Sequence, residues 1–176
     1  MPPDNNLTGS ILVAHPSLRD PNFRRTIVFI SQHIPEEGAT GIILNRPLDQ
    51  ALKPSSGVPE VPIYCGGPVA PETIVLTSLQ WRENPTVVAL RAFSGRLSEE
   101  LVDPEWLPGL RAFAGHAGWS AGQLEAEIEG QSWLVVPPTR DMIEMPRPDE
   151  IWKSLMHGAG PMFELLAEAP DEPWKN

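Results

Sequence analysis

The sequence predicts an α+β fold: a single domain with a mixed, curved β-sheet flanked by several short helices. Three observations carry this. Short apolar runs rich in Val and Ile recur along the whole chain, and each is bounded by turn residues. Candidate strands outnumber candidate helices and do not alternate with them one for one, which argues against a doubly wound parallel sheet. Twenty-one prolines beside 14 glycines break the chain into short elements joined by stiff loops, unlike the long helices of a bundle. A length of 176 residues suits one domain with its own core, spanning 1–176. Within it, residues 1–8 read as a polar tail and 170–176 as a polar C-terminal end.

Taken in order, residues 10–14 (SILVA) form a short buried strand. In Asp20-Pro21-Asn22-Phe23 a capping residue precedes proline, which suits one helical turn. Residues 26–31 (TIVFIS) lack polar alternation, the mark of a strand covered on both faces. After a turn at 35–38, residues 41–44 (GIIL) supply the partner strand, which stops at Asn45-Arg46-Pro47. Residues 48–53 suit a helical turn. Residues 61–65 (VPIYC) read as an edge strand, because Pro62 cannot donate to a ladder, and Gly66-Gly67-Pro68 as a sharp turn. Further strands are expected at 74–79 and 87–90, and a helix at 98–102.

The most ordered text is LRAFAGHAGWSAGQLEAEIEGQSWLVV, residues 110–136. It predicts a strand at 110–114, a turn at 115–119, a helix ending at Gly130, and a strand at 133–136. Ser120 with Gln123 has capping-box spacing, Ala121, Leu124 and Ile128 share one face, and Gly130 stands at C′. Glu127 and Glu129 fall at the negative end of that helix, where acids are disfavoured; no local rule explains them. Residues 139–145 are ambiguous. Asp149 caps a helix at 150–157, and Pro161 opens a last one over 162–168.

A net charge of −10 and a pI of about 4.8 argue against direct nucleic-acid binding, since phosphate contacts call for a basic surface. The single cysteine, Cys65, excludes an intramolecular disulfide and fits a reducing compartment. The first ten residues lack the basic and apolar regions of a signal peptide, and no apolar run nears the roughly 18 residues that span a bilayer. A soluble cytoplasmic protein without a membrane partner is expected.

Polar residues gather where the predicted strands end. They are Asp20, Asn22, Arg24 and Arg25; Asn45 and Arg46; Gly66 and Gly67; and His116, Trp119 and Gln123. Converging on one cleft, Arg25 and Arg46 would grip a carboxylate or phosphate, and the turn before the helix would add N–H donors. The competing reading pairs both arginines internally with Asp20 or a nearby Glu, makes Asn45 a turn residue, and leaves Gln123 to the capping box. Cys65, before two glycines, would be a thiolate nucleophile if His33 or His116 acted as its base; the plainer reading is a small buried hydrophobe. His15, His33, His116 and His157 show no i,i+4 pair and no CxxC companion, so no metal site is expected. No GxGxxG, Walker loop or GxSxG is present, so no cofactor is expected. The six tryptophans read as core or partial core.

The blocks ILVAHPSLRDPNFRRTIVFI (11–30), GATGIILNRPL (38–48), YCGGPV (64–69) and GHAGWSAGQLEAEI..SWLVV (115–136) together resemble the YqgE/AlgH family of small bacterial proteins. The resemblance implies an α+β fold with a mixed, partly barrel-like sheet. It implies no reaction, the family being essentially uncharacterised, although some members are labelled transcriptional regulators. Residues 81–109 depart from the family pattern: they are short and irregular where members carry a longer segment with a helix, which puts that wall of any groove in doubt. The expected function is non-enzymatic binding of an unknown protein or small anionic ligand through a cleft of Asp20, Asn22, Arg25, Asn45, Arg46, Gly66, Gly67, His116, Trp119 and Gln123. Any effect on transcription would be indirect. The alternatives are a DNA-binding transcriptional regulator, and a hydrolase or transferase using Cys65 or His116.

Overall fold

The computed structural model describes residues 5–53, 60–83, 86–93 and 104–170. Among these residues nine strands make one curled, mixed sheet: β1 (Ile11–Ala14), β2 (Ile27–Ile34), β3 (Gly38–Ile43), β4 (Pro47–Leu52), β5 (Val61–Cys65), β6 (Val69–Glu83), β7 (Thr86–Phe93), β8 (Leu110–Ser120) and β9 (Trp133–Val136). Their main order is β4-β5-β8-β3-β2-β1-β9, with β6 lying between β8 and β7. Among the described residues, only the β5–β8 pairing is parallel. Four short helices flank the sheet: α1 (Gln123–Glu129), α2 (Arg140–Glu144), α3 (Ile151–Ala159) and α4 (Pro161–Glu168). The expected α+β class, mixed sheet and short helices are all present.

β8 organises the sheet. Its residues 112–114 pair with β5 on one edge and β6 on the other, and its residues 117–120 pair with β3. The chain between β5 and β6 therefore crosses from one edge of β8 to the other in a few residues. That crossing explains the glycines. A Cβ on Gly66 would lie 2.3 Å from the Gly115 carbonyl oxygen, and one on Gly67 would lie 2.2 Å from the His116 carbonyl carbon. Backbone rides directly on backbone, which no side chain permits. Gly66–Pro68 is thus a crossover rather than a simple turn.

The expected turn at 115–119 is instead the second half of β8. Apolar periodicity missed it because Gly115, at φ +74°, resets the alternation of side chains. Phe113 packs in the core beneath α2 and α3, whereas Ala117 and Trp119, of the same parity, pack in the core on the opposite face. Without that reset, His116 would be turned to the other side of the sheet.

The two faces carry separate cores. One joins Ile11, Val13, Ile27, Phe29, Leu79 and Phe113 to Met142, Ile143, Trp152 and Met156 of the helical layer. The other packs Leu12, Val28, Ile30, Ile43 and Trp119 against Leu124 of α1 and Trp133 of β9. β1 and the first half of β2 are buried on both faces, as their unbroken apolarity predicts.

Other differences have local reasons. Of residues 48–53, expected as a helical turn, 48–52 belong to β4, an exposed strand on β5. β5 is not an edge strand; Pro62 faces Ala51 of β4, and the ladder to β8 begins only at Ile63. The capping box is half formed. Gln123 Oε1 accepts from Ser120 N–H at 3.0 Å, but the N-cap residue is Gly122, and the Ser120 hydroxyl binds Gln123 rather than the helix. The segment expected as a tail is tied down at its end. Leu7 N–H donates to His33 Nδ1 at 3.0 Å, and Thr8 Oγ1 accepts from His33 N–H at 2.8 Å. The helix expected at 98–102 lies outside the described residues. Among those described, no helix is long and apolar enough to cross a membrane.

Candidate functional site

The predicted site residues fall into three groups. The first is a clamp on the loop between β1 and β2. Asn45 Oδ1 accepts from Ile27 N–H at 2.8 Å while its Nδ2 donates to the Arg25 carbonyl at 3.0 Å. Arg46 Nη1 donates to the Asn22 carbonyl at 2.6 Å, and Nη2 to those of Arg24 and Pro21 at 3.0 and 3.3 Å. Burial lowers the Arg46 pKa from its ordinary value, and the surrounding carbonyls supply the acceptors a desolvated guanidinium needs. Asp20 Oδ1 accepts from Asn22 N–H at 2.8 Å and shapes the loop's first turn. Arg25, at φ 56°, sends Nη2 to the carbonyls of Ala167 and Ala169 at the end of α4, and its guanidinium lies 5.5 Å from the Trp152 ring centre. The internal partners of these arginines include backbone carbonyls, which neither sequence reading considered.

The second group joins Trp119 and Gln123 through Glu127. Both indole N–H groups, of Trp119 and Trp133, donate to Glu127 Oε2 at 2.9 and 2.8 Å, and Gln123 Nε2 donates to Oε1 at 2.9 Å. This accounts for an acid at the negative end of α1: two buried indoles need an acceptor there. Phe23 packs its ring 6.1 Å from Trp119 and so ties the clamped loop to this face. A neighbouring contact works alike. His33 is buried and takes Leu7 N–H at Nδ1, so its proton sits on Nε2, 2.7 Å from Glu125 Oε1.

The third group is Gly66, Gly67 and His116. The crossover places the half-buried His116 beside a groove of about 290 Å³ on the face shared with Phe113. Ile42, Val75 and Phe113 line it with the hydroxyl-bearing Ser31, Thr40 and Thr77. Val75, which lines it, is 40% exposed, and Val69, the ladder partner of His116, is 43% exposed. Cys65 is not brought to His116. Tyr64, just before it, packs on the Phe113 side, so Cys65 points to the opposite face with its register partner Ala114.

Sequence reasoning missed Arg111. It is 6% exposed, faces Thr77 across the β6–β8 ladder, donates from Nη2 to the Ile143 carbonyl, and lies 5.8 Å from the Tyr64 ring centre. The available signal was an arginine inside an apolar strand run, which demands a reason. Of metal-ligating groups among the described residues, His157, Glu164 and Glu168 bring donor atoms within 4.8 Å of one another, all three exposed.

This curled sheet with a glycine crossover over its central strand defines a fold, and comparison identifies its class. The AlgH-like family matches residues 11–164, and the chain belongs to that family. A UPF0301 protein of Thermobifida fusca is 34% identical over 97% of this chain and 96% of its own length. One from Streptomyces coelicolor is 32% identical over 98% and 96%. The crystal structure of a Corynebacterium diphtheriae protein matches with a TM-score of 0.65 and 26% identity, covering 92% of this chain and 91% of its own. The solution structure of AlgH from Pseudomonas aeruginosa gives 0.60 and 27%, covering 95% and 96%.

Proposed function

We propose that this protein is a non-enzymatic, cytoplasmic binding protein whose ligand-contacting surface is the His116 groove. The observation that carries the reading is the groove itself: an apolar floor that includes exposed Val75, a ring of hydroxyls and one imidazole, with exposed Val69 as the ladder partner of His116. A few polar groups set in an apolar concavity is the composition of a recognition site, and at about 290 Å³ it suits one apolar side chain of a partner or a small ligand. Of the expected cleft residues, His116 lines this groove. The acidic balance supports a partner other than nucleic acid, so that any transcriptional effect is indirect.

The test is a nuclear magnetic resonance titration with indole, a neutral aromatic probe. Saturable shifts are expected at Thr40, Gly41, Thr77 and His116, and they should weaken at least threefold in His116→Ala with the far-ultraviolet spectrum unchanged. Shifts that do not saturate, or that ignore the His116→Ala change, would refute the reading.

A further inference from the structure

On the same face, beyond Phe113, Tyr64 of β5, Leu79, Gln80 and Trp81 of β6, and Leu110 and Arg111 of β8 line a second cleft of about 620 Å³. Its singular group is Arg111. A guanidinium keeps its charge at any ordinary pH, and an arginine buried to this degree is nearly always paired. Arg111 is not. Nη2 meets the Ile143 carbonyl, but Nη1 is buried and has no hydrogen-bond partner. The two carboxylates that line the same cleft face other cations: Glu60 lies 3.9 Å from Lys53, and Glu144 lies 3.5 Å from Arg140. The cleft wall thus holds a positive group with one buried donor that no protein acceptor meets and no salt bridge among the described residues, Glu144 acting on its charge only through space.

We infer that this cleft binds a small organic monocarboxylate with a flat apolar body, its carboxylate completing Arg111 and its body lying against Tyr64, Leu79 and Trp81. The chemistry selects this class. Nη2 already serves the Ile143 carbonyl and Nη1 is the nitrogen left without an acceptor, which suits a single carboxylate oxygen. Glu60 and Glu144 would repel a dianion more strongly than a monoanion. The aromatic wall favours a planar body, and the volume falls within the range of small-molecule sites. Burial lowers the Arg111 pKa, while Tyr64 and Glu144 oppose that shift; an incoming carboxylate would act in the same sense as those two.

Sodium phenylacetate is the probe, with phenylacetamide and inorganic phosphate as controls, read by amide and arginine side-chain nuclear magnetic resonance on the full chain. Saturable phenylacetate shifts are expected at residues 79–81 and 110–112, with at least tenfold weaker effects from both controls. Arg111→Met should weaken phenylacetate at least tenfold. If that variant does not fold, Glu144→Gln decides: removing a like charge from the wall should tighten binding two- to threefold. No saturable binding, equal binding of phenylacetamide, shifts centred on His116 instead, or indifference to Glu144→Gln would each overturn the proposal. Because indole probes the His116 groove and phenylacetate this cleft, either reading fails without the other.

Discussion

Arg46 and Arg111 are both drawn out of solvent, and burial lowers the pKa of both, yet they are bonded in opposite ways. Arg46 donates to three loop carbonyls and closes the β1–β2 connection like a staple. Arg111 donates to one carbonyl and leaves a buried nitrogen without an acceptor. The arginine that stands inside a recognisable string, LNRP, serves the backbone. The arginine that stands in an ordinary apolar run has a donor to offer. A polar residue in a dense motif is therefore weak evidence for a ligand until its hydrogen bonds have been counted.

The largest effect expected from breaking this comparison is at the staple. Arg46→Ala removes the donors of three carbonyls in a partly buried loop, and it should cost about 2–4 kcal/mol. For a chain of this size that lowers the melting temperature by roughly 5–12 °C. Arg46→Lys should recover only part of the loss, because a single ammonium cannot reproduce the planar fork. Thermal denaturation followed by circular dichroism checks both. Wild-type stability in Arg46→Ala would show that the loop holds without it and would free Arg46 for a ligand.

Glu127 obeys the same rule with the charge reversed. Both its oxygens are engaged, by two indoles and an amide. Glu127→Ala leaves two buried N–H donors without an acceptor and should cost about 2–3 kcal/mol. The environments of Trp119 and Trp133 change with it, so tryptophan fluorescence of the native protein should shift, which loss of a surface ion pair would not produce.

These cases show what was legible. Strand existence was, because β1 and the first half of β2 are unbroken apolar runs that a sheet covered on both faces explains. The last two helices were, because Pro161 and the stripe of Ile151, Trp152, Leu155 and Met156 obey local rules. The path of β8 was not, since a glycine at φ +74° looks like a turn in one dimension and is a reset of phase in three. The clamp residues were legible as a group but not by role. Asn45 and Arg46 bind backbone carbonyls and N–H groups of residues about twenty positions earlier, and backbone leaves no signature in residue identity. Arg111 was invisible for the converse reason: its neighbours come from β5, β6 and α2, and only packing brings them together.

A smaller effect is expected at Glu125, whose carboxylate meets His33 Nε2 at 2.7 Å. Glu125's own backbone N–H and the His33 contact hold its carboxyl below the ordinary 4.5. A depressed carboxylate contributes stability that is fully present above the unfolded value, and it is lost as pH falls through the folded one. The melting temperature of wild type should therefore exceed that of Glu125→Gln above about pH 5, with the gap closing as the pH is taken toward 3. A gap that is constant with pH would mean that the carboxylate charge is not what anchors Leu7 and His33.

The smallest change in stability is expected at the buried arginine itself. Arg111→Met gives up one bond to Ile143, but it also removes a desolvated charge with an unanswered donor and fills the space with a chain of similar length. Such replacements are often neutral or stabilising, so urea denaturation should place the variant within about 1 kcal/mol of wild type or above it. A loss as large as that of Arg46→Ala would show that Arg111 is a second staple whose partner is internal, and the contrast between the two arginines would collapse. A near-zero result, set beside the large loss at Arg46, leaves a charge that the fold tolerates without using, and a use outside the fold is then what remains to explain it.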